Sequence, residues 1–140
     1  MGLEWVIPGV LARASRPGFG GANSSDVDPA EVEEWLEAAR AAGIRSIVCL
    51  LDGPQLAYYP RVPVGLLTAY RRAGMAVASV PVPDLQSPPL SDSDLAQVWQ
   101  AFREMPGPLL VHCSAGIDRT GAAVAYLRRR IDSGDEIEGA

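Results

Sequence analysis

Cys113 stands six positions ahead of Arg119 in the run Val111-His112-Cys113-Ser114-Ala115-Gly116-Ile117-Asp118-Arg119-Thr120-Gly121. A cysteine at a helix N-terminus and beside a guanidinium ionises readily, and the thiolate is a competent nucleophile. Arg119 carries a planar fork of donors that can grip two equatorial oxygens of a transferring phosphoryl group, a geometry lysine cannot reproduce. Together they read as an anion trap with a nucleophile at its floor. Gly116 falls where the loop must turn tightly, which favours glycine. Thr120 can donate its hydroxyl to the sulfur and so stabilise it as a leaving group. His112 is expected to fix the loop through ring hydrogen bonds rather than to transfer protons.

The flanks supply the setting. Pro108-Leu109-Leu110-Val111 is an apolar run suited to a buried strand, and Ala122-Ala123-Val124-Ala125-Tyr126-Leu127 is helix-prone. The loop between them must curl over a helix N-terminus, where inward-pointing N–H groups and the helix dipole can bind a phosphate dianion without a metal. A lone cysteine in an apolar strand is usually a core residue and a lone arginine at a helix start a solvated one. Here register, glycine and the flanking elements join the two.

Such chemistry needs an acid for the departing alkoxide or phenolate, and the same group can then activate water. Asp84 is the candidate. It follows the alternating run Ala76-Val77-Ala78-Ser79-Val80-Pro81-Val82 in a proline-bounded loop, 29 positions before Cys113; its competing reading is a turn aspartate capping its own loop. Asp118, beside Arg119, either orients that arginine or faces solvent at the rim.

The segment from His112 to Gly121 looks like the H-C-x5-R-[ST]-G signature of the cysteine-dependent protein tyrosine phosphatase superfamily. Trp5-Val6-Ile7-Pro8-Gly9-Val10-Leu11-Ala12 and Val80-Pro81-Val82-Pro83-Asp84 further resemble the small atypical dual-specificity phosphatases. The resemblance implies hydrolysis of phosphotyrosine proteins, with phosphoserine and phosphothreonine as further substrates, through a phosphocysteine intermediate and without metal or cofactor. It assigns phosphate binding to Ser114, Ala115, Gly116, Ile117, Asp118 and Arg119, and catalysis to Cys113, Arg119, Asp84, Thr120 and His112. Phosphoinositide or RNA 5′-triphosphate hydrolysis, or a non-catalytic phospho-binding module, are the alternatives. An aspartate at the position of Asp118 resembles phosphoinositide-hydrolysing relatives, but some of those loops carry a lysine where this chain has Ile117. Asp52 could buttress Arg119 as an acid does in several relatives, or simply end a strand in an Asp-Gly-Pro turn. Cys49 reads as a core thiol, although some relatives oxidise their nucleophile onto a second cysteine.

The surrounding elements follow from pattern. A strand or hairpin is expected near Trp5 to Arg13, then a glycine-rich loop over Ser15 to Ser25 that lacks the spacing of a nucleotide fingerprint. Asp28-Pro29 opens a helix with Val32, Trp35, Leu36 and Ala39 on its core face and Gly43 as its stop. Ile44 to Leu51 reads as a buried strand, Tyr58 and Tyr59 as packing residues of a loop, and Val64 to Arg72 as a short helix. Ser91 and Asp94 form a capping box before the stripe Leu95, Val98, Trp99 and Phe102. Strands alternating with helices predict an α/β fold, with a mostly parallel central sheet flanked by helices and a phosphatase-type phosphate-binding loop between a strand and a helix at the carboxyl end of the sheet.

At 140 residues, 48% hydrophobic and 21% charged, the chain suits one domain over residues 1–140, short at its C-terminus, where Ile131 to Ala140 is polar and acidic. The net charge of −5 opposes nonspecific nucleic-acid binding, and all twelve basic residues are arginine. Arg128-Arg129-Arg130 complements the negative end of the last helix rather than forming a binding patch. No apolar run approaches a membrane span and the first residues lack signal-peptide features, so cytoplasmic residence is expected. The expected partner is a phosphorylated protein or peptide, with no nucleic acid and no membrane; the sequence leaves the oligomeric state open.

Overall fold

In the computed structural model, which describes residues 1–134, a five-stranded sheet runs in the order β1-β2-β5-β3-β4. Strands β2 (Leu11–Ala14), β3 (Ser46–Cys49), β4 (Ala76–Ser79) and β5 (Leu109–His112) are parallel, and β1 (Glu4–Ile7) pairs antiparallel with β2 across the expected hairpin. Register places His112 opposite Ala14 on one side and Cys49 on the other. The carboxyl ends of four parallel strands therefore share one edge, and the candidate site residues gather there: His112 ends β5, Cys113 to Thr120 form the loop and helix start that follow it, and Asp84 lies on the connection after β4.

Helix α1 (Pro29–Ala41) starts as its sequence dictates. Asp28 accepts from the Ala30 N–H, Pro29 needs no donor at the first position, and Val32, Trp35, Leu36 and Ala39 are buried. A one-turn helix α2 (Gly53–Leu56) follows β3 where only a turn was expected. Helix α3 (Leu66–Arg72) starts two residues later than expected, because Gly65 precedes it with φ +79°, off the helical path. Helix α4 (Asp92–Glu104) carries the capping box in full, Ser91 Oγ accepting from Asp94 N–H and Asp94 Oδ2 from Ser91 N–H. Helix α5 (Asp118–Asp132) follows the loop after β5. The paired strands are shorter than the apolar runs that announce them, since Ile44, Leu50 and Leu51 are buried yet lie outside the ladder.

Two-residue alternation divides the apolar side chains between two layers. Ile47, Cys49, Leu51 and Leu110 pack with Trp35, Leu36 and Tyr70 of α1 and α3. Val48, Leu50, Leu109 and Val111 pack with Val98, Trp99, Val124 and Leu127 of α4 and α5. Each fully buried side chain such as Leu127 is worth ~1.5–3 kcal/mol, so both layers resist local opening near the site. Tyr59 is buried as a packing residue, and Tyr58 half-buried. Of the late arginines, Arg130 lies 4.5 Å over the Trp99 ring and donates to Tyr126 Oη, while Arg128 pairs with Asp132 at 3.8 Å. These contacts engage Arg128 and Arg130 within the fold. Residues 135–140 of the acidic tail lie outside the described residues. Among the described residues, no helix is long and apolar enough to cross a membrane.

Candidate active site

Cys113 directly follows β5 and is buried, as are Ser114, Gly116, Arg119 and Thr120 around it; Ala115 is half-buried, and Ile117 and Asp118 are exposed. The loop's tightest point is Gly116, at φ +76°. A Cβ there would stand 2.6 Å from the Ala14 carbonyl oxygen and 2.8 Å from Ser15 N, both backbone atoms that cannot swing aside. The glycine therefore lets the loop lie flat against the end of β2. From that strand, Arg13 Nη2 donates to the Gly116 carbonyl at 2.8 Å and to that of Ile117 at 3.3 Å, pinning the outer arc.

Arg119 is 1% exposed and held along one edge. Its Nη1 donates to Gln55 Oε1 and to the Val82 carbonyl, each at 2.8 Å, and to the Leu50 carbonyl at 3.3 Å. These partners come from the connections after β3 and β4. Arg119 Nε and Nη2 are also buried and have no hydrogen-bond partner among the described residues. An orphaned pair of donors on a buried guanidinium is costly unless something completes it, and a tetrahedral oxyanion matches that edge. Asp84 Oδ2 lies 3.2 Å from Nη2, close enough for ionic attraction though not aligned as a hydrogen bond.

Asp84 is held from two further sides: Gln55 Nε2 donates to its Oδ2 at 3.2 Å, and Leu85 N–H donates to its Oδ1 at 2.9 Å. Gln55 thus spans the acid and the arginine, a role that no spacing signal in the sequence marks. Asp52 makes neither the buttress to Arg119 nor a simple turn: it caps α2 by accepting from Gln55 N–H at 3.0 Å, and Gln55 does the bracing. Asp118 takes the rim option of its two readings.

His112 is fully buried. It hydrogen-bonds the Cys113 carbonyl through Nδ1 at 2.9 Å and Tyr70 Oη through Nε2 at 2.9 Å. A carbonyl can only accept, so Nδ1 carries the proton and the Tyr70 hydroxyl donates to Nε2. Burial pushes the His112 pKa down to about 4, with Arg119 and Arg16 adding repulsion. A neutral ring makes both contacts, which is the loop-fixing role expected of it. Trp35 stacks on Tyr70 at 5.3 Å and completes the support. Thr120 is buried, but its hydroxyl finds no hydrogen-bond partner among the described residues, so the predicted link to the sulfur is not made in this state. Burial pushes the Cys49 thiol up to about 12, and its side chain belongs to the layer opposite that of Cys113. Among the described residues no cluster of His, Cys, Asp and Glu could hold a metal ion.

A family described as "Polymorphic toxin system, DSP-PTPase phosphatase" matches residues 23–131, well over half of the chain, and the match contains Asp84, Cys113 and Arg119. The chain belongs to this DSP-PTPase family. The match falls in the family that the signature resembles, and that family's description names a phosphatase. A curated relative, rat receptor-type tyrosine-protein phosphatase V, is 47% identical over 47 residues, which is 34% of this chain and 3% of that protein. The DSP-PTPase chain thus spans a small fraction of that relative. Among solved structures, Tk-PTP in its active form matches with a TM-score of 0.63 and 24% identity, over 94% of this chain and 74% of the other. The core catalytic domain of the PP-IP phosphatase SIW14 from S. cerevisiae gives 0.60 and 19%, over 91% and 64%. P. aeruginosa TpbA in complex with pTyr gives 0.53 and 19%, over 94% and 64%. Likeness at these identities concerns the fold, on which differing specificities are built.

Proposed function

We propose that this chain hydrolyses phosphotyrosine, and secondarily phosphoserine and phosphothreonine, in proteins by way of a phosphocysteine. The observation that carries the reading is the half-satisfied Arg119, whose Nη1 is anchored by three acceptors while Nε and Nη2 stay buried and unbonded among the described residues beside Asp84. In the first step the Cys113 thiolate attacks phosphorus, the P–O bond to the leaving group breaks, and the Asp84 carboxyl gives that oxygen its proton. In the second, the Asp84 carboxylate takes a proton from water, the water oxygen attacks phosphorus, and the S–P bond breaks to release phosphate and the thiolate. Arg119 and the loop amides from Ser114 to Asp118 hold the equatorial oxygens throughout. In this reading Thr120, whose hydroxyl has no partner among the described residues, donates to the sulfur as it departs.

The rim favours a peptide over a polyanionic lipid or nucleic acid. Ile117 is 65% exposed on the phosphate loop and Leu85 90% exposed beside Asp84, and the chain carries a net charge of −5. Apolar edges suit an aromatic ring and its peptide, whereas a headgroup bearing several phosphates would need more cations.

Initial rates on a phosphotyrosine peptide, a phosphoserine peptide, a phosphoinositide and 5′-triphosphorylated RNA test the assignment. Phosphotyrosine should lead, and C113S should abolish turnover while keeping phosphate affinity. Preference for the lipid or the RNA would overturn the substrate class, and full activity of C113S the mechanism.

A further inference from the structure

Arg16 lies in the glycine-rich loop after β2, outside the catalytic and phosphate-binding roles given so far. It is 4% exposed. Its Nε donates to Ser114 Oγ at 3.0 Å, its Nη1 to Tyr59 Oη at 3.3 Å and to the Pro17 carbonyl at 3.5 Å, and its backbone N–H to the Ser114 carbonyl at 2.9 Å. The guanidinium sits 4.7 Å over the Tyr58 ring, with Phe19 at 5.7 Å and Tyr59 at 6.0 Å. All of these partners are neutral. No carboxylate among the described residues is within ion-pair distance of it, although buried charges are almost always paired. Aromatic faces and neutral acceptors soften the cost without supplying a counter-charge.

The site itself can supply that counter-charge, beyond the longer-range field of Glu31, whose carboxylate lines the same loop at Gly18 and Gly21 without pairing with Arg16. Arg16 holds Ser114, the residue directly after Cys113, and the site is built to receive a thiolate and then a phosphate dianion. The other charged side chains at the loop are Arg13 and Arg119, and the carboxylates Asp84 and exposed Asp118. We infer that Arg16 is a second, non-contacting cation of the phosphate loop, acting through Ser114 to raise the positive potential at Cys113 and to favour dianionic phosphomonoesters over monoanionic diesters. It is a positioning residue, because Ser114 stands between it and the reacting atoms. This rests on the phosphatase reading of the same site.

The test measures potential at the sulfur without turnover. Alkylation of Cys113 by iodoacetate, an anion, and by neutral iodoacetamide is followed in wild type, R16Q and R16K, and the ratio of the two rates cancels the fraction of ionised thiol. Wild type should favour iodoacetate; in R16Q the ratio should fall about tenfold, and R16K should restore most of it, a pattern that loss of packing alone would not produce. The dissociation constant for inorganic phosphate should rise in R16Q by a similar factor, with KM raised more than kcat is lowered. R16Q should fold, since removing an uncompensated buried charge lifts a desolvation cost. If R16Q folds and keeps the wild-type ratio, or if R16Q and R16M both fail to fold, the inference is overturned and Arg16 is structural. If wild-type Cys113 itself shows no preference for the anionic reagent, the phosphatase reading fails instead.

Discussion

Asp84 Oδ2 and Arg119 Nη2 stand 3.2 Å apart and out of line for a hydrogen bond, so the proposed acid and the proposed phosphate grip attract without being locked together. With the Asp84 side chain 36% exposed, such a contact is worth ~1 kcal/mol or less. A phosphate dianion arriving at Nε and Nη2 can displace it cheaply. Gln55 then matters, because it donates to the same Asp84 oxygen while accepting from Arg119 Nη1, and so keeps the carboxyl near the leaving group after Nη2 has turned to phosphate.

Substituting Gln55 should therefore separate two effects. Q55A removes one bond to a charged donor and frees Asp84, which should cost ~10–100-fold in kcat/KM, the kinetic equivalent of about one charged hydrogen bond. Q55E keeps the reach but puts a carboxylate against Arg119, competing with phosphate, so it should raise KM more than it lowers kcat. Steady-state kinetics on an aryl phosphate decide; a Q55A enzyme with wild-type kcat/KM would remove the bridge from the mechanism.

The legible part of this site is the part that closes within a few residues. Cys113, Gly116 and Arg119 are joined by one strand, one turn and one helix start, so their spacing alone carries the geometry. The same holds for the Asp28-Pro29 cap and the Ser91/Asp94 box, where a short side chain meets a backbone N–H two or three positions on. Gln55, Arg16 and Tyr70 reach the loop only because parallel strands bring distant connections to one edge, and nothing in their neighbours marks them. Asp52 shows why charge is a poor guide: the acid that could have braced Arg119 spends its carboxylate on the α2 N-terminus, and a neutral amide three positions later does the bracing. Strand ends are less legible, because burial continues through Leu50 and Leu51 past the last paired residue, Cys49.

G116A should disable the loop while sparing the rest of the fold. The left-handed backbone costs a non-glycine residue ~1–2 kcal/mol, and the added Cβ meets backbone atoms of Ala14 and Ser15 that belong to the β2 exit. Relief comes only by lifting the loop off β2, which also breaks the Arg13 contacts. The expected result is a modest fall in Tm, loss of the stabilisation that inorganic phosphate gives the wild type, and a drop in kcat/KM on the order of 100-fold or more. Phosphate-dependent melting of G116A equal to wild type would refute it.

Stability should carry the signature of His112, the chain's one histidine. Its pKa falls from 6.5 to about 4 on folding, so between those values the unfolded chain binds a proton that the native ring refuses. Stability is full above pH 6.5, declines as the pH falls, and has lost the whole contribution below about 4, for a total of ~3 kcal/mol. Urea melts across that range should show the slope in wild type, and H112N should flatten it between pH 5 and 6.5, where few carboxylates titrate. An unchanged slope in H112N would assign the proton uptake elsewhere.

The two cysteines should behave as different kinds of group. Cys49 is paired in register with His112 and shares the α1–α3 layer, one residue out of step with Cys113, whose side chain belongs to the other layer. Burial holds the Cys49 thiol near pKa 12, so at neutral pH it stays protonated and unreactive. In native protein iodoacetamide should add a single adduct, at Cys113, and C113S should take none until urea exposes Cys49. Because a disulfide would require one strand to rotate its alternation, peroxide should oxidise Cys113 to a sulfenic acid without closing onto Cys49. Inactivation of C49A by peroxide, and its recovery with dithiothreitol, should therefore match wild type. An intramolecular disulfide seen by mass spectrometry in oxidised wild type would contradict the layer assignment and make Cys49 the resolving thiol.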